Sequence, residues 1–289
     1  MQVASAPVLR SAGAALALTL HAGAGLLAQS DATLVHHHPI VVQVANEFPV
    51  LGWRLHAQRR SDYGDRVTTA REVVLEAGFG FQGSRFARFT AWAPRLADGW
   101  RARARLEAER AARFGFFGLG NDTEKDEDLT AGDAGNYYRV RRVRYGGTIE
   151  VTRHLVGALH AAGALGVLRA EYEPLPGPDL FDQTFPGGSE ETDATGRVTL
   201  VYDTRDREYD TARRGLLLGT GVLGGSGGDG YTRVHAVARG YLTVVPRVAA
   251  TARVGGAGAT EGVPLDARAS LTAWEDELTV LGGRRSFRG

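Results

Sequence analysis

Two groups of polar residues have types and spacings that could support chemistry. The three consecutive histidines at residues 36–38 could bind a transition metal, but neighbouring side chains of an extended chain point to opposite faces and do not form one closed site. Asp203, Arg205 and Asp206 could form a catalytic cluster, although charges that pair at the end of an antiparallel strand explain them better. Neither group identifies an enzyme.

A glycine-rich segment and the acidic residues after it raise two further hypotheses. Gly118, Gly120 and Asn121 could belong to a phosphate-binding loop, but the lysine of such a loop is missing and the segment does not join a strand to a helix. Small residues that tolerate left-handed conformations also suit a turn at a strand end. The acidic residues between positions 122 and 128 lack the spacing of a calcium loop, so a solvated loop explains them better. The segment therefore predicts neither a cofactor nor a metal.

Composition excludes several further functions. The chain contains no cysteine, so it has no disulfide, no thiolate nucleophile and no cysteine metal ligand. A formal net charge of +1 gives no electrostatic reason to expect a nucleic acid as partner. The sequence also lacks a nucleophile elbow, a zinc-protease helix motif and a convincing Ser/His/Asp set, and we therefore predict that it is not an enzyme.

The elements that must position these residues are β-strands, because apolar and polar residues alternate along most of the chain. In the clearest segment, Trp100 to Arg110, tryptophan, alanine and leucine occupy one face while arginine and glutamate occupy the other. A helix of this sequence would carry arginine all round its circumference and bury no apolar stripe. About eleven strands are predicted, at residues 50–60, 71–83, 85–95, 99–112, 136–152, 156–173, 196–205, 213–223, 230–243, 247–258 and 267–280.

The connections between the predicted strands differ in length. Short turns such as 97–99 and 245–247 alternate with long polar connections such as 113–135 and 174–195. This asymmetry is typical of an outer-membrane β-barrel. Tyrosines near predicted strand ends fit the aromatic girdles of such a barrel, although tyrosine also favours strands in general. They are Tyr137, Tyr138, Tyr145, Tyr172, Tyr202, Tyr231 and Tyr241.

The N-terminal residues predict export. A basic residue precedes an apolar run from Ala14 to Leu27, and the small residue Ala28 follows it, which is the order of a cleaved secretory signal peptide. After this run no apolar stretch is long enough for a membrane-spanning helix, so only a closed barrel could cross a membrane. The predicted organisation is a signal peptide at 1–28, a linker at 29–49 and a barrel domain at 50–289.

Three segments, in this order, carry a resemblance to a known family. The first is Phe117–Thr123, followed after an acidic loop by Asn136–Val140. The second is Tyr202–Asp206, followed by Thr211–Gly215, and the third is the terminal Gly282–Gly289. Together they resemble the BamA/TamA-like superfamily of outer-membrane assembly and translocation barrels, also called the bacterial surface antigen family. The structural residues of the first two segments are Gly118, Gly120, Asn121, Asp203, Arg205 and Asp206.

The resemblance assigns the terminal segment to the sixth extracellular loop, which in the family folds back into the barrel lumen. In that loop the arginine acts as a luminal latch, held by an acidic residue on strands that come after it. Those strands are not part of this sequence, so the resemblance implies a partial barrel of about 11 of 16 strands, truncated within the loop motif. The matching residues are Gly282, Gly283, Phe287, Arg288 and Gly289.

The function implied by the resemblance is insertion or translocation of proteins, or lipids, at the bacterial outer membrane. The expected fold is an all-β, antiparallel transmembrane β-barrel, and the expected partners are outer-membrane lipid and unfolded client outer-membrane proteins. A weak seam between the first and last strands would offer an edge to a client strand. The alternative is a passive pore or structural surface barrel, and a further one is the barrel part of a lipase-like enzyme.

Overall fold

An antiparallel β-meander makes up nearly all of the chain that the structure describes. The structure is a computed structural model, and it describes residues 33–42, 49–60, 69–119, 126, 128–130, 135–206, 212–245 and 248–267. These residues form eleven strands: β1 (Thr33–Val42), β2 (Val50–Arg60), β3 (Thr69–Phe79), β4 (Arg85–Ala97), β5 (Trp100–Gly115), β6 (Arg139–Val156), β7 (Leu159–Pro174), β8 (Ser189–Asp203), β9 (Gly215–Gly225), β10 (Tyr231–Val245) and β11 (Val248–Ala259).

The strands lie in a single sheet in the order of the sequence. Every strand pairs with its sequence neighbours in antiparallel fashion, from β1 to β11. Among the described residues there is no pairing between β1 and β11, so the sheet is open and both strands form edges. The all-β antiparallel class predicted from the sequence is confirmed. An open edge presents backbone N–H and C=O groups that can pair with another strand.

Alternating side chains give the sheet two chemically different faces. In β5, Leu106 lies on one face, opposite Phe89 of β4 and Gly147 of β6. The next residue, Arg105, lies on the other face, opposite threonines of the same two strands. We call the face that carries Leu106 the outer face and the face that carries Arg105 the inner face. The register shifts only near strand ends, between residues 59 and 60, 93 and 97, 111 and 114, 154 and 156, and 243 and 245. Between these shifts the register is continuous, and each paired residue there can be assigned to one of the two faces.

The two ends of the sheet differ in their connections. The turns at residues 98–99 and 157–158 lie at one end, which we call the short-turn end. The longest connections between described strands, residues 116–138 and 175–188, lie at the opposite end, which we call the long-loop end. The predicted difference in connection length is therefore present only in part. The β2–β3 connection, residues 61–68, and the β8–β9 connection, residues 204–214, also lie at the short-turn end. Both are longer than the connections at residues 80–84 and 226–230, which lie at the long-loop end.

An aromatic cluster covers the long-loop end. A short helix, α1 (Leu180–Thr184), lies in the β7–β8 connection and is capped by Asp179, whose carboxylate accepts from the backbone N–H of Phe181 at 2.7 Å. Phe181 is fully buried, and it packs edge-on against Phe116 and in a stacked arrangement on Tyr172. This packing fixes α1 and Phe116 against the sheet.

The structure has a strand within the predicted linker, residues 29–49, and the linker prediction is wrong there. β1 (Thr33–Val42) pairs along its length with β2. Its three histidines and Pro39 hid the alternation of a strand, because an edge strand needs only one hydrogen-bonded neighbour and tolerates proline. The predicted signal peptide, residues 1–28, lies outside the described residues.

Two further strand boundaries differ from the prediction. β8 begins at Ser189, seven residues before the predicted start at 196, because its acidic first half pairs with β7 beyond the apolar part of the strand. The predicted last strand, 267–280, begins where a 3₁₀ turn, Leu265–Ala267, ends. The remainder of that range lies outside the described residues. The other nine predicted strands correspond to β2–β7 and β9–β11.

Candidate functional site

The outer face is apolar and exposed at the middle of the strands. Ile149 of β6, Leu165 of β7 and Val198 of β8 expose 64%, 73% and 64% of their surfaces. A monomeric soluble protein rarely exposes a continuous apolar surface that extends over several strands. The outer face is therefore suited to contact with other apolar groups.

Charged residues mark the limits of this apolar band. On β6, the outer-face positions between Arg141 and Arg153 carry no charge. On β5, the uncharged outer-face positions run from Trp100 to Ala108 and end at Arg110. The runs 143–151 and 100–108 are nine residues long, which corresponds to roughly 30 Å at the rise of a strand.

Charges of opposite sign alternate across the strands on the inner face. Arg54 of β2 forms an ion pair with Glu76 of β3. Arg88 of β4 donates to one carboxylate oxygen of Glu109 at 2.9 Å, and Arg142 of β6 donates to the other at 2.7 Å. The Glu109 side chain is 7% exposed, so water screens these attractions less than it screens surface ion pairs.

Asp266 joins this network from the far end of the chain. It belongs to residues 260–267, which follow β11 and which we call the fold-back segment. One oxygen of the Asp266 carboxylate accepts from Arg142 at 2.9 Å and from the Tyr172 hydroxyl at 3.1 Å. The other oxygen accepts from Arg144 at 3.4 Å. The Asp266 side chain is 5% exposed, and its three donors come from β6 and β7.

The rest of the fold-back segment is bonded to several strands. The N–H of Thr260 donates to the carbonyl of Thr232 at 3.0 Å, which extends the β10–β11 pairing by one residue. Pro264 lies directly against the backbone of Gly227, at a place where a Cβ atom would overlap it. The N–H of Leu265 donates to the Glu191 carboxylate of β8 at 2.8 Å. The segment therefore crosses from β11 to β6–β8 over the inner face.

The geometry of these charges is suited to holding a segment in place. We call Arg88, Glu109, Arg142, Arg144 and Asp266 the acid–arginine network. Three guanidinium groups bind two carboxylates in it, and each carboxylate accepts from at least two donors. Such bonds are directional and lose their strength when one partner is removed. The network therefore acts as a connector between the inner face and the fold-back segment.

Asp203, Arg205 and Asp206 form a second ionic centre at the short-turn end. The Asp203 carboxylate accepts from the Arg205 guanidinium at 3.0 and 3.1 Å and from the Arg205 backbone N–H at 3.0 Å. The Asp206 carboxylate accepts from the backbone N–H groups of Arg213 and Arg214 at 2.9 and 3.2 Å. Each carboxylate is thus occupied in closing the β8–β9 connection.

The surroundings of Arg205 in this centre favour its protonated, charged form. Burial lowers the pKa of the Arg205 guanidinium, but its hydrogen bonds to Asp203, the negative charge of Asp203 and the nearby Tyr241 together raise that pKa above its ordinary value. Gly215, which ends the connection, has a φ of +117°, and a Cβ atom there would lie 2.5 Å from the Arg205 Cα. Only glycine therefore fits this position without a backbone shift.

The predicted site residues are not brought together into one site by the described part of the chain. Gly118 lies just after β5 with a φ of +97°, at the long-loop end, whereas Asp203, Arg205 and Asp206 lie at the short-turn end. The other predicted residues lie outside the described residues; they are Gly120, Asn121, Gly282, Gly283, Phe287, Arg288 and Gly289.

Only some of the tyrosines lie on the face where an aromatic girdle would require them. Tyr145 and Tyr202 lie on the outer face. Tyr172, Tyr231 and Tyr241 lie on the inner face. The girdle interpretation is therefore wrong for these three tyrosines. The hydroxyl of Tyr231 donates to the Asp193 carboxylate at 2.7 Å, and the hydroxyl of Tyr172 donates to the Asp266 carboxylate at 3.1 Å, because a buried phenol needs a hydrogen-bond partner.

Sequence reasoning missed the residues that build the acid–arginine network. The alternation on β5 and β6 indicates that Glu109, Arg142 and Arg144 share a face, so a local signal exists for three of the five residues of the network. Asp266 is 124 positions away from Arg142 and lies in a segment without strand periodicity, so no local signal links the two. The resemblance predicts that the loop containing Arg288 folds back into the barrel. In the described residues, the segment that crosses the inner face contains Asp266 instead.

The histidines at residues 36–38 do not converge in β1. His36 and His38 lie on the inner face opposite His56 and Arg54, while His37 stacks on Trp53 at 5.6 Å on the outer face. Within the described ranges, no group of three or more metal-ligating side chains has a geometry that could hold an ion. The alternation of side chains along an extended strand explains the separation of the three rings.

Comparison with known proteins does not assign the chain to a family. No protein-family model matches the chain, and no curated protein sequence matches it. In the described residues, no helix has both the length and the apolar character needed to cross a membrane.

Proposed function

We propose that this chain is an exported outer-membrane β-barrel protein of the BamA/TamA-like type, which inserts or translocates proteins, or lipids, at that membrane. The single observation that carries the proposal is the exposed apolar band of the outer face, bounded by arginines. The uncharged runs of nine residues on β5 and β6 match the roughly 9–11 residues that a tilted strand needs to cross a bilayer. Under this proposal residues 1–28 are the signal peptide.

The inner face supports the same proposal. Arginines and carboxylates alternate there across neighbouring strands, as they do in Arg54–Glu76 and Arg88–Glu109. A transmembrane barrel has apolar residues towards lipid and polar residues towards its lumen. A soluble sandwich has the opposite arrangement, with its apolar residues between the layers. The distribution of charge over the two faces therefore favours a lipid-facing outer surface.

The two open edges support a role in strand exchange. β1 contains Pro39, which has no N–H to donate, and β11 consists mostly of glycine, alanine and valine that are exposed on both faces. Edges of this kind pair weakly with one another and can accept a strand from another chain by β-augmentation. A client strand at the β1 or β11 edge is the mechanism that we propose.

The charged inner face also favours a second candidate, a passive pore, because a polar lumen conducts ions. An enzyme is not proposed, because the candidate cluster of Asp203, Arg205 and Asp206 uses its polar atoms to close the β8–β9 connection.

The membrane part of the proposal is tested by single cysteines, since the chain has no cysteine of its own. An environment-sensitive dye is attached to Ile149→Cys or Leu165→Cys on the outer face, and to Thr148→Cys on the inner face, after the full chain is folded into vesicles. We expect blue-shifted emission and quenching by lipid-borne quenchers at residues 149 and 165 only. Equal emission at all three residues contradicts a lipid-facing outer surface.

The functional part is tested with vesicles that contain the full chain. The rate at which an unfolded outer-membrane protein folds into them is compared with the rate for empty vesicles. We expect acceleration, and we expect a variant with Val254→Pro in β11 to lose most of it. Steady, salt-dependent conductance without acceleration would replace this proposal with the passive pore.

A further inference from the structure

Two arginines face each other on the outer face at one limit of the apolar band. Arg85 of β4 lies directly opposite Arg110 of β5 at the long-loop end, and we call these two residues the arginine pair. Arg85 is exposed and Arg110 is partly exposed. Like charges in directly opposite positions of two strands repel each other. An anion between the two guanidinium groups removes this repulsion.

Two other arginines of the outer face at the same end have carboxylate partners. Arg141 donates to Glu173 at 2.8 Å, and Arg169 donates to Glu171 at 3.1 Å. Within the described ranges, by contrast, neither guanidinium of the arginine pair forms an ion pair or a hydrogen bond with a side chain. The pair therefore offers two positive charges to a ligand at the limit of the apolar band.

The surroundings of the arginine pair are suited to the surface of a membrane. Phe79 of β3 lies directly opposite Arg85 and exposes 66% of its surface, and Phe81 in the turn after β3 exposes 87%. Aromatic rings beside basic residues are typical of the headgroup level of a membrane. Towards the middle of the band, the next outer-face positions are Ala87 and Ala108, which lie opposite each other. These small side chains leave room for an acyl chain beside the pair.

A second pair of arginines has fewer of these features. Arg59 of β2 lies directly opposite Arg71 of β3 on the outer face at the short-turn end. The residue opposite Arg59 on β1 is Thr33, and no aromatic residue pairs with either arginine in the described strands. The combination of opposed arginines, exposed phenylalanines and small apolar neighbours therefore favours the pair at the long-loop end.

We propose that the arginine pair binds the phosphate group of an anionic membrane lipid whose acyl chains lie on the apolar band. This inference rests on the proposed function, since it needs the outer face to lie against lipid. The planar guanidinium group of arginine matches the geometry of phosphate oxygens and binds them with two parallel hydrogen bonds. A phosphate between the two groups neutralises their repulsion and fixes the lipid at the end of the band.

The test compares two lipids at a position beside the arginine pair. The full chain with Ala87→Cys carries a fluorescent dye and is folded into phosphatidylcholine vesicles that contain a minor fraction of brominated lipid, which quenches the dye on contact. The brominated lipid is either anionic phosphatidylglycerol or zwitterionic phosphatidylcholine. We expect phosphatidylglycerol to quench at least about threefold more strongly, because basic residues at a membrane surface attract anionic lipid.

A second dye position and a second buffer define where the preference lies and which phosphate causes it. A dye at Leu165→Cys, in the middle of the apolar band on β7, should be quenched equally by the two lipids. Replacing the buffer anion with inorganic phosphate at equal ionic strength should leave the preference at residue 87 intact. Loss of the preference in that buffer assigns the pair to free phosphate and overturns the proposal.

Two double variants separate the arginine pair from the general charge of this end of the sheet. Arg85→Gln with Arg110→Gln should make the quenching at residue 87 equal for the two lipids. Arg141→Gln with Arg169→Gln changes the net charge by the same amount but removes arginines that have carboxylate partners. We expect this control to keep the preference to within about twofold. Equal loss of the preference in both doubles overturns the proposal.

The stability of Arg110→Gln gives a second readout, which also serves if the double variant does not fold. In phosphatidylcholine vesicles we expect its urea midpoint to equal or exceed that of the parent, because the repulsion from Arg85 is gone. In vesicles that contain phosphatidylglycerol we expect a midpoint below that of the parent, because the bound phosphate has lost one partner. A lower midpoint in both kinds of vesicle shows a structural role for Arg110 and overturns the proposal.

The two dye positions also separate this inference from the proposed function. Absence of quenching at residues 87 and 165 by either lipid contradicts the lipid-facing outer surface, and with it the proposed function. Quenching at both residues without a preference for phosphatidylglycerol at residue 87 removes this inference alone.

Discussion

Adjacent residues on one strand can lie in opposite environments, and β6 shows this most clearly. Arg141 lies on the outer face and pairs with Glu173 at 2.8 Å, with the two side chains 34% and 57% exposed. Arg142 lies on the inner face and binds Glu109 and Asp266, with its side chain 10% exposed. The same residue type thus makes a solvated contact on one face and part of a shielded network on the other. The face, and not the residue type, decides how much an arginine contributes to stability.

The two faces also differ in what they need from their surroundings. The outer face exposes apolar side chains in the middle of the strands, whereas the inner face holds most of its charges in cross-strand pairs. Apolar surface is stable where water is absent, and paired charges are stable where donors and acceptors are matched. The polar interactions of the sheet are therefore satisfied on the inner face, whereas the apolar side chains of the outer face are suited to contact with other apolar groups.

The largest expected effect comes from removing an arginine of the acid–arginine network. We expect Arg142→Gln to lower the free energy of unfolding in vesicles by about 3–5 kcal/mol, because it leaves the carboxylates of Glu109 and Asp266 buried with fewer donors. Its matched control, Arg141→Gln, removes an exposed pair and should cost under about 1 kcal/mol. Urea titration of both variants measures the difference, and similar losses contradict the comparison of the two faces.

A charge placed on the outer face should have the next largest effect. Ile149→Arg puts a guanidinium in the middle of the apolar band, and we expect it to destabilise the vesicle-inserted protein by about 2–4 kcal/mol. The neighbouring inner-face variant, Thr148→Arg, only adds a like charge opposite Arg105 and should cost under about 1 kcal/mol. Folding yield in vesicles over a urea series reports both values. If Thr148→Arg is the more damaging change, the assignment of the faces is reversed.

The smallest of the three effects concerns the fold-back segment. Asp266→Asn keeps the size of the side chain but removes its charge, so we expect a local loss of about 1–2 kcal/mol. Glu261→Gln removes an exposed charge from the same segment and serves as the control. Limited proteolysis should cut residues 260–267 faster in the first variant only. Equal cleavage of both variants shows that the acid–arginine network does not hold the segment.

The strands could be predicted from the sequence because their signal is local. Trp100 to Arg110 alternates over its whole length, and β5 contains that range. β1 was missed because His36, His37 and His38 follow one another and Pro39 interrupts the pattern, so strand formation there depends on the pairing with β2. The early start of β8 was missed for a similar reason, since Glu190 and Glu191 resemble a solvated loop until β7 lies beside them.

Local periodicity is sufficient to assign the class of the fold. It also assigns Arg103 and Arg105 to one side of the sheet and Leu106 to the other, because side chains alternate with a period of two wherever the backbone is extended. The position of Asp266 against Arg142, Arg144 and Tyr172 depends on tertiary structure alone. These residues are 94 to 124 positions apart, and they meet only after eleven strands have paired in order and residues 260–267 have crossed the inner face. A charge at that distance in sequence has no periodic signal, so its partner is known only once the sheet has formed.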